Sequence, residues 1–86
     1  MSKTKEQKIP KWFNGTIFEE GGTVANRFTG EEIKLNNVEL SMYDFIMGVT
    51  TCLELGMYSD SMADDHQRGL KWFRQNNIEA YMVLLD

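Results

Sequence analysis

The sequence predicts an α+β fold, mostly α, with an N-terminal β-hairpin packed on a three-helix C-terminal part. Three observations predict it. Residues 23–35 alternate about a Thr29-Gly30 turn signal, as a hairpin does. Residues 37–55 form one long apolar segment between an Asn36-Asn37 start and a Gly56 stop. Residues 60–85 repeat apolar positions at spacings of three and four, interrupted at Asn76-Asn77.

Each element follows from its residues. Met1 to Pro10 is polar and aperiodic and reads as a flexible basic arm, leaving 11–86 as a single small globular domain. Trp12 and Phe13 plug that arm onto the body. Asn14-Gly15 is a turn signal, and Thr16–Glu19 is a candidate short strand broken by Glu20-Gly21-Gly22. In the hairpin, a two-residue loop at Thr29-Gly30 sets Arg27 opposite Glu32, Asn26 opposite Ile33 and Val24 opposite Leu35. A four-residue loop over 29–32 pairs Phe28 with Ile33 instead. The first register puts Val24, Phe28, Ile33 and Leu35 on one face. A lone hairpin is marginal in water, so this one must lie on the helices.

Asn36 or Asn37 caps the first helix, and Glu39 stands in its first turn, where the helix dipole favours an acid. Gly48 in its middle costs about 1 kcal/mol against Ala and either admits a neighbouring helix or is simply tolerated. Ser59 or Ser61 caps the second helix, with Asp64 three residues after Ser61. Met62, His66, Gly69, Leu70 and Phe73 form its apolar stripe, flanked by Trp72, and Asp64 is spaced to pair with Arg68. Asn76-Asn77 ends this helix and caps a short third one marked by Ile78, Tyr81, Met82 and Leu85; the apolar end Val83–Leu85 is expected to be docked.

Composition bounds the function. Eighty-six residues that are 42% hydrophobic and 12% aromatic make one ordered domain with a thin stability margin. The net charge of −4 divides unevenly. Four lysines against Glu6 give the first eleven residues +3, and five cations against twelve acids give the rest −7. The acidic body argues against nucleic acid as a partner; stacking of single-stranded bases on Trp12 and Phe13 beside the basic arm is the lesser reading. No apolar leader follows the N-terminal lysines, and Asp44 and Glu54 interrupt the one segment long enough for a membrane span, so no membrane contact is expected.

Reactive chemistry is sparse. Cys52 and His66 are the sole cysteine and histidine, and each reads better as a core residue than as a nucleophile and base. A lone thiol suits a reducing compartment. Asp60, Asp64, Asp65 and His66 are the densest set of metal-ligating types, yet Asp64 and His66 point to different faces of a helix. Glu19-Glu20 and Glu31-Glu32 read as surface acids beside turns. No phosphate-binding glycine pattern is present. No enzyme activity, cofactor or metal is therefore expected. The triplet Lys-Trp-Phe occurs at 11–13 and 71–73, but its flanks differ, which reads as coincidence.

The first helix carries the functional expectation. Val38, Leu40, Met42, Tyr43, Phe45, Ile46, Met47, Val49, Cys52, Leu53 and Leu55 exceed one helical stripe. The surplus predicts a non-enzymatic protein–protein interaction or assembly module that self-associates through residues 38–55. The contact residues are Met42, Tyr43, Phe45, Ile46, Met47, Val49 and Leu53, with methionines suited to irregular surfaces. The partner is itself, as a homo-oligomer, or another protein. The alternative is an acidic regulator that binds and inhibits or redirects an enzyme through the −7 body.

The segments Trp12-Phe13-Asn14-Gly15, Asn26 to Glu32, Leu40 to Asp44, Gly69 to Arg74 and Glu79 to Asp86 resemble a small uncharacterised protein family of tailed bacteriophages, marine ones above all. The resemblance covers nearly the whole chain beyond Pro10. It implies a virus-encoded accessory protein of the host bacterial cytoplasm or the virion, with a host or phage protein as the partner other than itself and a host enzyme as the target of the regulator reading, and it transfers no catalytic residue.

Overall fold

A computed structural model describes residues 8–13, 15–57 and 59–85. A two-stranded antiparallel sheet, β1 (Gly22–Ala25) and β2 (Glu32–Leu35), precedes three helices, α1 (Asn37–Glu54), α2 (Asp60–Asn76) and α3 (Ile78–Leu84). This is the α+β, mostly helical architecture that the sequence predicts. Of the expected flexible arm over 1–10, residues 1–7 lie outside the described residues, and the Lys8 carbonyl accepts from Trp72 Nε1–H.

The hairpin register differs from both expected ones. Val24 pairs with Ile33 and Ala25 with Glu32. Asn26 N–H then donates to the Glu31 carbonyl and Gly30 N–H to the Asn26 carbonyl, both at 2.8 Å, so the loop is Arg27–Gly30. The cause is Asn26, whose Oδ1 accepts from the amides of Phe28 and Thr29 at 2.7 and 3.0 Å and starts the turn early. Gly30 has φ +78°, a left-handed conformation that glycine adopts without steric cost. Two expectations fall with the register: Arg27 does not face Glu32, and Phe28 leaves the inner face, which keeps Val24, Ile33 and Leu35.

No strand forms at 16–19. The backbone of Phe18 is bound to α1 instead, its N–H by Ser41 Oγ at 2.9 Å and its carbonyl by Asn37 Nδ2 at 3.3 Å. At Gly21 a Cβ would fall on the Leu35 carbonyl oxygen, so the chain passes β2 closer than any side chain permits.

Helix α1 is closed at both ends. Asn36 Oδ1 accepts from Glu39 N–H at 2.8 Å while Glu39 Oε1 accepts from Asn36 N–H at 3.0 Å, a reciprocal capping box. At the other end Gly56 N–H reaches the Leu53 carbonyl and Met57 N–H the Cys52 carbonyl, with Gly56 at φ +84°. This is a Schellman stop. Ser59, not Ser61, caps α2, accepting from Met62 N–H at 3.1 Å. Arg68 pairs with Asp64 at 3.0 Å, as its spacing foretells. Asn77 ends α2 and caps α3 through its Oδ1 on Ala80 N–H at 3.1 Å.

The core is Leu35, Met42, Ile46, Trp72, Phe73, Ala80 and Leu84. The buried edge of α2 is Gly69, Trp72 and Phe73, so Trp72 is more deeply placed than Leu70, which the stripe had favoured. A Cβ on Gly69 would lie 2.8 Å from Ile46 Cγ1, whereas one on Gly48 would meet nothing within 4 Å. The close helix approach therefore occurs at Gly69, and Gly48 is merely tolerated. On α3, Ala80 and Leu84, four residues apart, face inward and leave Ile78 and Met82 exposed, contrary to the expected stripe.

The chain wraps α1 more fully than its apolar surplus suggests. Phe13 and Trp12 cover Phe45 with ring centroids at 5.2 and 6.0 Å, which is the expected plug. Of the apolar residues counted on this segment, Leu55 alone is exposed, at 72%. Among the described residues no helix is long and apolar enough to cross a membrane.

Candidate interaction site

A cleft of about 250 Å³ opens where the hairpin loop meets the three helices. Tyr43, Ile46, Met47 and Thr50 form its α1 wall, since spacings of three and four place them on one face. His66 and Leu70 of α2 lie across from them, and Leu84 and Leu85 close one end. Asn26, Arg27 and Phe28 form the lip.

The lip is held rigidly. Asn26 Nδ2 donates to the Val83 carbonyl at 2.8 Å, joining the loop to α3. Thr29 Oγ1 accepts from Glu31 N–H at 3.1 Å inside the turn. Arg27 reaches Glu54 at 3.0 Å and places its guanidinium carbon 5.0 Å from the Phe28 ring centroid. Phe28 itself is 84% exposed, more than any other large apolar side chain described. A large ring held in water on a braced turn is costly unless something covers it.

The polar groups of the cleft are oriented, not reactive. Thr50 Oγ1 spends its one proton on the Ile46 carbonyl at 2.9 Å and so accepts from His66 Nε2, also at 2.9 Å. That assignment places a proton on Nε2. Burial raises the Tyr43 pKa above its ordinary value, and the nearby Arg27 charge opposes the rise without cancelling it. Tyr43 therefore remains a neutral phenol at physiological pH.

The predicted contact residues divide. Met42, Ile46 and Val49 are buried and belong to the core, with Ile46 forming the cleft floor. The chain's own packing leaves all three almost no surface to offer a partner. Phe45 lies under Trp12 and Phe13, and Leu53 is half-buried away from the cleft. Tyr43 and Met47 remain as half-exposed cleft walls. Phe28, Arg27 and Asn26 were missed; the signal was Asn26 followed four residues later by glycine, which places the loop at 27–30 and turns Phe28 outward.

The remaining candidates stay apart. His66 bonds Thr50, and Cys52 does not line the cleft. Asp64 and Asp65 are engaged by Arg68 at 3.0 and 3.7 Å. Among the described residues no three metal-ligating side chains converge. The chain matches no known protein family, no curated protein and no solved structure.

Proposed function

We propose that this protein is a non-enzymatic assembly module that pairs with a second copy of itself, Phe28 of each protomer entering the cleft of the other. The observation that carries the reading is Phe28, 84% exposed on a braced loop at the edge of an apolar cleft. A projecting ring and a recess on the same face are self-complementary, so one two-fold axis closes both contacts and leaves no open end. The hydrogen bonds within the loop pre-order Phe28, which lowers the entropy lost on association. Tyr43 and Met47 supply the adaptable walls, and the neutral Tyr43 hydroxyl is able to donate to a backbone carbonyl of the partner. On the resemblance to phage proteins, the setting is the infected bacterial cytoplasm or the virion.

Sedimentation equilibrium from micromolar to millimolar concentration tests this. A monomer–dimer equilibrium that Phe28→Asp abolishes, with an unchanged circular dichroism spectrum, is the expected result. A wild-type chain that stays monomeric over the whole range overturns it. In that case a salt-sensitive host partner recovered from bacterial lysate would move the reading to the acidic regulator.

A further inference from the structure

The two Lys-Trp-Phe triplets, far apart in the chain, converge in the fold. Trp12 of the first and Lys71 and Trp72 of the second line one groove of about 270 Å³, together with Arg68 and Gln75. Trp72 Nε1–H donates to the Lys8 carbonyl at 3.3 Å and ties the segment bearing Lys8 and Lys11 to α2. The third residue of each triplet is an anchor: Phe13 packs on Phe45 and Phe73 is wholly buried.

Lys8, Lys11 and Lys71 are exposed and carry no ion pair among the described residues. Arg68 is shared with Asp64 and Asp65. A chain of net charge −4 thus sets Lys71, without an ion pair among the described residues, between two indoles, and brings the segment of Lys8 and Lys11 to the same groove through the Lys8 carbonyl and Trp12. Net charge concealed this, because the arm and α2 contribute to the patch from opposite ends of the sequence.

We infer that this groove binds single-stranded nucleic acid, with Trp12 stacking on a base and Lys8, Lys11 and Lys71 neutralising phosphates. Free phosphate would use the cations and leave the indoles idle. An acidic peptide would do the same. A duplex hides its base faces in its own stack, so an indole gains nothing from it. A single strand uses the Trp12 ring, the cations and the Gln75 amide together. The site lies on the side of α2 away from His66 and Leu70, so it stands independently of the pairing proposed above.

Fluorescence anisotropy of a labelled oligothymidylate titrated with the full chain at several salt concentrations tests the inference. Three phosphate contacts on a single strand give a log–log salt slope of roughly −2. Saturable binding with that slope, quenching of tryptophan emission and weaker binding of a duplex of equal length are expected. The double variant Lys11→Gln, Lys71→Gln touches only exposed side chains and should reduce the slope to roughly −1 with the fold intact by circular dichroism. The absence of saturable binding at low salt overturns the inference. So does equal binding of the duplex, equal competition by polyglutamate, or a slope that the double variant leaves unchanged.

Discussion

At one end of the α1–α2 pair, Met42, Ile46 and Phe73 have no exposed surface, while at the other Cys52, Leu53 and Met62 are half-covered and Leu55 is 72% exposed. Both ends are rich in apolar residues. What differs is what lies across them. The first end has β2 and α3 as further walls and a glycine, Gly69, where the helices approach. Cys52, Leu53, Leu55 and Met62 at the second end lie outside the core cluster. Hydrophobic composition therefore says that a helix must be covered, and topology decides where coverage is complete.

Truncation at the well-covered end should cost most. Phe73→Ala removes a fully buried ring bounded by Trp72 and the rest of the core, and the expected loss is about 3–5 kcal/mol in urea unfolding. The matching change at the open end, Leu55→Ala, should stay within about 0.5 kcal/mol. Equal losses at the two sites would erase the distinction between the ends.

The well-covered end also contains a buried polar knot. Glu39 caps α1 with one carboxylate oxygen and accepts from Asn77 Nδ2 with the other at 3.0 Å, joining the starts of α1 and α3. Glu39→Ala strands both donors, at a cost of about 1–3 kcal/mol. Glu39→Gln retains one acceptor and should recover part of that. A thermal melt in which Ala and Gln behave alike would show that the knot is incidental.

How much of this was legible in the sequence depends on the range of the signal. The caps at Asn36 and Asn77, the stop at Gly56 and the Asp64–Arg68 pair were readable because each acts within five residues. The hairpin register was not, because Thr29-Gly30 resembles a two-residue turn more than Asn26 resembles the start of a four-residue one. The inward face of α3 was missed for another reason. Its seven residues are apolar on several sides, and long-range bonds orient it, from Asn77 to Glu39 at its start and from Asn26 to the Val83 carbonyl near its end. Of the residues lining the cleft, Tyr43, Ile46 and Met47 are among those the sequence offered for contact, but Phe28 depended on the register. The convergence of Trp12 with Lys71 and Trp72 is a tertiary event that no local pattern encodes.

Two helical glycines give the finest test of the contrast, because the same substitution should have opposite signs. At Gly69 an added methyl meets Ile46 Cγ1 at 2.8 Å, and Ile46 is a stiff β-branched residue with no exposed surface to move into. Overpacking of about 1–3 kcal/mol less a helix-propensity gain of about 1 kcal/mol leaves Gly69→Ala neutral to destabilising by up to about 2 kcal/mol. At Gly48 no atom lies within 4 Å of the new methyl, so only the propensity gain operates. Gly48→Ala should therefore stabilise the fold by about 1 kcal/mol in urea unfolding, with an unchanged denaturant dependence. If Gly48→Ala destabilised instead, the outer face of α1 would have to be covered in solution by something that approaches closer than a methyl group allows.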